Sequence, residues 1–334
     1  MRISVLGAGA WGTAIAQHAT RMHRVMLWCR GAETARALRQ ARENVRYLPG
    51  IALDPRLEVT ERLERALGHA QGEDALIVLA TPMSGVEPTL GAIAAAGGPA
   101  APLIWLCKGI DARTGRLAHE LARALLPQQT RVGALSGPSF ALEVARGLPV
   151  ALTVASDSDQ VRLASVAALH FGPMRIYGSP DVIGVELGGA LKNVMAIAAG
   201  ASDGLGLGLN ARAALITRGL AEITRLGTAM GARAETFTGL AGLGDLVLTC
   251  TGDLSRNRRV GLGLARGESL ESVLEGLGHV AEGVQCARAA RELARSHRVE
   301  MPIVDAVCAA LFGQVPVPQA VERLLTRDPR DELQ

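Results

Sequence analysis

The first half of the chain alternates short apolar runs with longer stretches in which apolar residues recur at helical spacing. The runs span residues 3–6, 24–29, 75–80, 103–107, 132–135, 150–155 and 174–177. Short apolar runs are typical of strands buried on both faces, and strands that alternate with helices usually pair in parallel. This half is therefore predicted to form an α/β domain with a doubly wound sheet of the Rossmann type.

After Tyr177 the strand pattern fades, and Ala- and Leu-rich helical patterns separated by glycine-rich loops follow. The first of these helices has a buried stripe made by Leu187, Leu191, Val194 and Ala198. Asn210 is placed to cap the next helix, expected over 211–230. Further helices are predicted over 269–276, 282–295, 303–312 and 317–325. The pattern predicts a sheet domain at 1–179 and an all-α domain at 180–334.

A glycine-rich turn follows the first strand and opens the first helix. Gly7, Gly9 and Gly12 stand in a G-x-G-x-x-G pattern, and a second strand follows the helix. In such a turn the first glycine makes the bend, the second lets the backbone approach a pyrophosphate, and the third allows close packing of helix on strand. The free amides of the helix start then face the phosphates. We therefore expect the sheet domain to bind a dinucleotide.

The residue at the end of the second strand indicates which dinucleotide is bound. An acidic side chain there holds the 2′-hydroxyl of NAD, whereas an arginine accepts the 2′-phosphate of NADP. Arg30 occupies this position, and Glu33 is the next acidic residue. NADP(H) is therefore the expected cofactor, with NAD(H) tolerated. The alternative is that Arg30 is only a solvated strand end.

Lysine is nearly absent, since 33 of the 35 basic residues are arginine and only Lys108 and Lys192 are lysine. A lysine amine can lose its proton when burial or a neighbouring cation lowers its pKa, whereas arginine keeps its proton. Lys192 is therefore a candidate general base. Gly188 and Gly189 precede it by one helical turn. Each glycine destabilises a helix by about 1 kcal/mol relative to alanine, so their presence predicts that another part of the structure packs closely against the helix there. A tight helix contact with Lys192 reaching to water is the alternative.

Lys108 directly follows the strand at 103–107. Ligands of open parallel sheets bind outside the carboxyl ends of the strands, so Lys108 is expected to contact a bound ligand. Residues 136–140 follow the next strand and form a turn of small residues whose amides and hydroxyls can hold a phosphate or a nicotinamide amide. Lys108 as a plain cation at the sheet edge remains the alternative.

Two features of the second half suit a small phosphorylated ligand. A glycine-rich turn over 238–244 presents Asp245, and an arginine cluster follows at 255–259. The neighbouring side chains of Arg256 and Asn257 combine a bidentate fork with neutral donors, which suits a phosphate dianion. A solvated face is the alternative for the cluster.

Composition narrows the function further. A net charge of +3 with scattered arginines argues against nucleic-acid binding. The start of the chain does not resemble a signal peptide, and no run of about 18 apolar residues occurs, so membrane insertion is not expected. The five cysteines lack C-x-x-C spacing, and no His/Cys/Asp cluster has metal-ligand spacing. We expect a cytoplasmic enzyme that needs no metal ion.

Six motifs in order make the chain similar to bacterial NAD(P)-dependent sn-glycerol-3-phosphate dehydrogenases. They lie at residues 7–12, 107–109, 136–139, 184–193, 241–245 and 255–259 and span nearly the whole chain. The resemblance implies reversible hydride transfer between NAD(P)H and dihydroxyacetone phosphate. The product would be sn-glycerol 3-phosphate for glycerophospholipid synthesis.

The resemblance also implies roles for individual residues. Lys192 would be the proton acceptor for the C2 hydroxyl of glycerol. Substrate binding is implied for Lys108, Gly137, Ser139, Lys192, Asp245, Ser255, Arg256 and Asn257. Cofactor binding is implied, beyond the three turn glycines, for Ala10, Trp11, Arg30, Tyr47, Lys108, Ala141, Arg256, Val280 and Glu282. The chain departs from the pattern at Ala10, where relatives often have serine, so one hydroxyl near the phosphates is missing.

These parts fit one mechanism, in which a base takes the hydroxyl proton as hydride leaves C2. A second ammonium nearby, that of Lys108, would help to lower the pKa of a lysine. Two rivals remain: a dehydrogenase of similar plan that acts on a 3-hydroxy acid or sugar acid, and a regulator that senses NADP without turnover. Leu-rich helices in the second half favour a homodimer.

Overall fold

The computed structural model describes residues 1–72, 74–129, 131–277 and 281–326. Its strands are β1 (Arg2–Leu6), β2 (Arg24–Trp28), β3 (Glu43–Asn44), β4 (Leu48–Ala52), β5 (Glu58–Thr60), β6 (Ala75–Leu79), β7 (Leu103–Trp105), β8 (Val132–Ser136), β9 (Val150–Ala155) and β10 (Met174–Ser179). Eight of them form one sheet in the order β10-β9-β8-β7-β6-β1-β2-β5, and β3 and β4 form a separate antiparallel pair. Within the large sheet only β8 and β9 are antiparallel.

Helices cover both faces of this sheet, which confirms the predicted doubly wound fold. They are α1 (Ala10–Thr20), α2 (Ala32–Ala41), α3 (Leu63–His69), α4 (Met83–Ala95), α5 (Ala118–Leu125), α6 (Ala141–Ala145) and α7 (Asp159–Leu169). Along β6, Leu76 and Val78 join the core on one face, and Ile77 and Leu79 join the core on the other. All four are fully buried, as expected for a strand with helices above and below.

The strand order reverses beside β1, because β2 and β5 lie on one side of it and β6 to β10 on the other. A crevice opens at the carboxyl ends of the strands where the order reverses, and open α/β sheets bind ligands there. Gly7 follows β1 and Ala80 follows β6, so the glycine turn lies at this crevice.

The second half is helical in the residues that the structure describes, as predicted. Its elements are α8 (Val182–Gly204), α9 (Gly208–Ala229), α10 (Ala234–Phe237), a π-helix (Leu240–Gly244), α11 (Asp245–Thr251), α12 (Arg256–Ala265), α13 (Leu270–Leu277), α14 (Glu282–Ser296), α15 (Pro302–Leu311) and α16 (Val317–Leu325). Helix α8 is central: it packs against α9, α11, α12 and α14. Val185 of α8 and Ala241 of the π-helix also join a core of the sheet, so the two halves share apolar packing.

Helix α8 is also long and apolar enough to cross a membrane by length and composition alone. However, 89% of its apolar window is buried inside the protein. Burial of this extent is typical of a core helix. No other helix of that length and apolarity occurs among the described residues.

One local expectation, the cap at Asn210, was wrong. Helix α9 begins at Gly208, with Leu207 as its N-cap, so Asn210 lies inside the helix and does not cap it. Gly206 and Gly208 both adopt positive φ, so the turn that connects α8 to α9 ends before Asn210. Strand β9 pairs antiparallel with β8 and parallel with β10, an exception to the parallel pairing that is usual for strands alternating with helices. The proposed boundary between residues 179 and 180 stays a prediction.

Candidate active site

Steric constraints explain two of the three glycines of the turn after β1. Gly7 has φ +131°, and a Cβ on it would lie 2.7 Å from the backbone carbonyl of Ala80. A Cβ on Gly12 would lie 2.0 Å from the Gly7 carbonyl oxygen. At Gly9 a Cβ would meet no atom within 4 Å. Two glycines are therefore required by the fold, whereas Gly9 faces open space that suits a ligand.

The start of α1 offers unsatisfied donors to an anion. Its N-cap is Gly9, no side chain caps it, and its first turn contains no acidic residue. The buried indole Nε1 of Trp11 also has no hydrogen-bond partner. Free amides at the positive end of a helix dipole bind phosphate groups. The turn, which includes Ala10, therefore fits the pyrophosphate of a dinucleotide.

The residues expected to hold the adenosine end lie beyond β2. Arg30 is exposed just after the strand, and Glu33 is exposed in the first turn of α2. Tyr47 lies between β3 and β4, and the guanidinium of Arg46 lies 5.1 Å from the centre of its ring. The structure thus leaves Arg30 available to a ligand.

The centre of the site is a carboxylate shared by both lysines of the chain. Lys192 Nζ lies 2.6 Å from Asp245 Oδ1, and Lys108 Nζ lies 2.6 Å from Asp245 Oδ2. Asp245 is fully buried at the start of α11, directly after the π-helix. Lys108 comes from the sheet half and Lys192 from α8, so the carboxylate joins the two halves where the sheet ends.

Each lysine has further partners. Lys108 Nζ donates to the Gly137 carbonyl at 2.8 Å and to Ser139 Oγ at 3.1 Å. Lys192 Nζ donates to Thr249 Oγ1 at 2.7 Å. The structure therefore brings together Lys108, Gly137, Ser139, Lys192 and Asp245, all of which the sequence had suggested. Thr249, one helical turn after Asp245, was missed.

Burial shifts the pKa of two groups at the site, Lys108 and Glu282. Burial, assisted by the charge of Lys192, lowers the pKa of Lys108 from 10.5 to about 8, although Asp245 acts in the opposite direction. Burial also raises the pKa of Glu282, against the charges of Arg256, Lys192 and Lys108. The expected depression of a lysine pKa by a neighbouring ammonium thus contributes at Lys108.

A hydrogen-bond network of amide groups crosses the site. The Gly283 N–H donates to Asn257 Oδ1 at 3.0 Å, Asn257 Nδ2 donates to Asn193 Oδ1 at 2.9 Å, and Asn193 Nδ2 donates to the Lys108 carbonyl at 3.1 Å. This network links the starts of α14 and α12 to α8 and to the end of β7. Asn193 was part of a recognised motif but was not predicted as a site residue.

The arginines of the cluster at 255–259 differ in role: Arg258 is held by salt bridges within the protein, whereas Arg256 is free to bind a ligand. Ser255 caps α12 by accepting a hydrogen bond from the Arg258 N–H. Arg258 forms salt bridges to Asp203 and Asp253, so its role is structural. Arg256 is exposed and forms no salt bridge within the described residues, although its charge acts on Glu282. Arg256 is thus the member best placed to take an anionic ligand.

The two glycines below Lys192 allow the close approach that the sequence suggested. A Cβ on Gly188 would lie 2.5 Å from the Ala241 carbonyl oxygen, and one on Gly189 would lie 2.7 Å from Ser136 Oγ. Helix α8 therefore packs directly on the π-helix and on the end of β8. This packing brings the Lys192 turn to the edge of the sheet.

Comparison with known proteins decides the family. The sequence model described as the N-terminus of NAD-dependent glycerol-3-phosphate dehydrogenase matches residues 2–162, and the model described as its C-terminus matches residues 181–322. The chain belongs to this family. Two curated relatives carry the name glycerol-3-phosphate dehydrogenase [NAD(P)+]. The one from Ralstonia nicotianae is 57% identical and covers 99% of both chains, and the one from Janthinobacterium sp. is 56% identical and covers 100% of both.

A solved structure from this family has the same fold. The crystal structure of glycerol-3-phosphate dehydrogenase from Coxiella burnetii superimposes with a TM-score of 0.92 at 39% identity. The match covers 97% of this chain and 98% of that one. The similarity extends over both the sheet half and the helical half.

The remaining predicted residues are less directly placed. Ala141 begins α6, and Glu282 begins α14 beside the lysine cluster. Val280 lies outside the described residues. Among residues 1–72, 74–129, 131–277 and 281–326, no group of three or more His, Cys, Asp or Glu side chains could hold a metal ion.

Proposed function

We propose that the chain is a glycerol-3-phosphate dehydrogenase [NAD(P)+] that reversibly transfers a hydride between NAD(P)H and dihydroxyacetone phosphate. The product, sn-glycerol 3-phosphate, would supply glycerophospholipid synthesis. The names of the full-length relatives support this reaction. The observation that carries it in the structure is the buried carboxylate of Asp245, which holds Lys108 and Lys192 together beside the dinucleotide turn.

The cofactor would lie across the crevice at the end of β1. Its pyrophosphate would bind the amides of Gly9, Ala10 and Trp11, with Gly7 and Gly12 shaping the turn. Arg30 would accept the 2′-phosphate, so we propose a preference for NADP(H) over NAD(H). Further contacts are assigned to Tyr47, Lys108, Ala141, Arg256, Val280 and Glu282.

The substrate phosphate would bind where α12 begins. Arg256 supplies an exposed guanidinium there, and Ser255 and Asn257 flank it. Lys108, Gly137, Ser139 and Asp245 would line the opposite side, near the C2 oxygen. The charged end of the substrate would then lie in the helical half, with the reacting carbon between the two lysines.

Lys192 would move the proton. In the reducing direction its ammonium donates to the ketone oxygen as C2 is reduced, and in the oxidising direction its neutral amine accepts the hydroxyl proton. The bound nicotinamide supplies or accepts the hydride. The carboxylate of Asp245 and the hydroxyl of Thr249 orient the Lys192 amine by hydrogen bonds of 2.6 and 2.7 Å.

The assembly and compartment are also proposals. An apolar groove of about 1020 Å³ lies between α8, α9, α15 and α16, and Leu209 and Leu325 nearby are 72% and 75% exposed. We propose that the chain is a cytoplasmic homodimer. Light scattering after size exclusion tests the dimer, and a monomer mass at tens of micromolar would contradict it.

Steady-state assays test the function. NADPH oxidation should be fast with dihydroxyacetone phosphate and at least tenfold slower, in kcat/KM, with dihydroxyacetone or with the keto form of a 3-hydroxy acid. Lys192→Ala should abolish turnover with dihydroxyacetone phosphate while NADPH still binds. Turnover that survives Lys192→Ala would overturn the catalytic assignment, and a preference for a keto acid would favour the rival dehydrogenase.

A further inference from the structure

Asn44 connects the dinucleotide turn to the segment that carries Tyr47. Asn44 lies on β3, outside the main sheet, and is only 3% exposed. Its Nδ2 donates to the Ala8 carbonyl at 2.9 Å and to Thr13 Oγ1 at 2.7 Å. Its Oδ1 accepts from the Tyr47 N–H at 3.2 Å. Both donor hydrogens and the acceptor oxygen of this side chain are thus used.

The network fixes which way the amide faces. The Ala8 carbonyl can only accept a hydrogen bond and the Tyr47 N–H can only donate one. The nitrogen of the Asn44 side chain must therefore face Ala8, and its oxygen must face Tyr47. An aspartate in this place could still accept from Tyr47 but would turn a carboxylate oxygen toward a carbonyl oxygen.

The hydrogen bond to Ala8 has a consequence for the next amide. The peptide bond between Ala8 and Gly9 is trans, so the Ala8 carbonyl and the Gly9 N–H point in opposite directions. Holding the carbonyl toward Asn44 turns the Gly9 N–H away from it. Gly9 is the N-cap of α1, and a side chain there would meet no atom within 4 Å.

We propose that Asn44 is a positioning residue for the cofactor, which fixes the Gly9 amide toward the pyrophosphate and the Tyr47 backbone toward the adenosine end. This inference rests on the proposed function only in naming the dinucleotide. One buried amide would thereby set the distance between two separate contacts on the same ligand. Asn44 itself would touch no part of the cofactor.

Helix α1, which carries Thr13, also offers a matched control. Gln17, one turn after Thr13, binds the far end of the hairpin formed by β3 and β4. Its Nε2 donates to the Ala52 carbonyl at 3.3 Å, and its Oε1 accepts from the Asp54 N–H at 2.9 Å. Gln17→Ala therefore loosens the hairpin without affecting the Ala8 carbonyl. It separates a role in positioning the turn from a role in docking the hairpin.

The experiment compares Asn44→Ala, Asn44→Asp and Gln17→Ala with the wild type. The Kd of NADPH is measured by calorimetry, KM and kcat by steady-state assay with dihydroxyacetone phosphate, and Tm by circular dichroism. Asn44→Ala should raise the Kd and KM for NADPH about tenfold, since two hydrogen bonds that orient the turn are lost. Its kcat at saturation and its KM for dihydroxyacetone phosphate should stay within about twofold.

The other variants complete the test. Asn44→Asp, which keeps the contact to Tyr47 and the size of the side chain, should weaken NADPH binding at least as much as Asn44→Ala. Gln17→Ala should leave the Kd within about twofold. An unchanged Kd in a folded Asn44 variant, or an equal loss in Gln17→Ala, would overturn the inference. If the wild type binds NADPH but does not reduce dihydroxyacetone phosphate, the proposed function fails while the calorimetric comparison still decides the role of Asn44.

Discussion

Glu186 of α8 accepts two hydrogen bonds from His119, the second residue of α5. The His119 backbone N–H lies 3.0 Å from Glu186 Oε1, and its ring Nδ1 lies 2.5 Å from Oε2. Both side chains are buried, so the pair ties the sheet half to the helix that carries Lys192. Burial alone would lower the pKa of His119, but the hydrogen bond and charge of Glu186 raise it above 6.5.

This pair predicts a loss of stability at high pH. Because the folded pKa of His119 exceeds the unfolded value, the pair stabilises fully below about pH 6.5, and its contribution falls as the pH rises through the folded pKa. His119→Ala leaves the Glu186 carboxylate buried without its ring partner and should cost about 3 kcal/mol at pH 6. Urea unfolding at pH 6 and pH 8.5 measures both effects. A mutational cost that grew with pH would contradict the sign.

At Glu222 we expect the opposite result, because a substitution there should increase the stability of the folded protein. Burial raises the pKa of Glu222 from 4.5 to about 7, although the N–H groups of Ile303 and Val304 donate to its carboxylate. The folded state therefore keeps a proton between pH 4.5 and 7 that the unfolded state releases, so stability falls as the pH rises through that window. Glu222→Gln keeps an acceptor and removes the charge.

The Tm of Glu222→Gln should accordingly exceed that of the wild type at pH 8 and differ little from it at pH 5. The control is Glu271→Gln, an exposed change on α13 that should have no such pH dependence. A Glu222→Gln protein less stable than the wild type at pH 8 would show that the ionised carboxylate at the start of α15 is favourable.

Asp245→Asn tests the shared carboxylate. The variant keeps the shape of the side chain but removes the charge that holds Lys108 and Lys192, so we expect kcat to fall about 100-fold or more. Asp253→Asn is the matched control, because Asp253 is exposed and pairs only with Arg258 among the described residues. It should change kcat less than about twofold. Similar losses in the two variants would remove Asp245 from the proton-transfer machinery.

Arg30→Ala tests the coenzyme preference. Removal of the guanidinium should raise the KM for NADPH about tenfold and leave the KM for NADH nearly unchanged, because only NADPH has a 2′-phosphate for it to bind. Arg36→Ala, an exposed change on the following helix, serves as the control. Equal losses with both coenzymes would remove Arg30 from the 2′-phosphate site.

Gly188→Ala tests the close packing of α8. The added Cβ would lie 2.5 Å from the backbone oxygen of Ala241, which cannot rotate away, so we expect a loss of about 1–3 kcal/mol. At Gly91 of α4 a Cβ meets no atom within 4 Å, and Gly91→Ala should stabilise by about 0.5–1 kcal/mol. Urea unfolding compares the two. A neutral Gly188→Ala would mean that α8 can shift without penalty.

The sequence predicted the features that have local signals. The turn at Gly7 is encoded in six adjacent residues, and the lysines were conspicuous because the chain has only two. Thr249 and Asn44 carried no such signal, since the contacts that tie each to the site, Thr249 to Lys192 and Asn44 to Ala8, join residues tens of positions apart. The short strand β5 was also missed, because three residues show no readable alternation. Long-range hydrogen bonds, unlike periodic apolar patterns, leave little trace in a single sequence.

The position of α8 limits how this protein can change. The same helix forms the middle of the helical half and presents the lysine at its reactive edge. Random substitution along it would disturb folding and turnover together, and an activity screen could not tell one kind of damage from the other. Engineering of new substrate preferences should therefore leave α8 intact and vary Arg256, the exposed residue at the start of α12, rather than its buried neighbours Ser255 and Asn257.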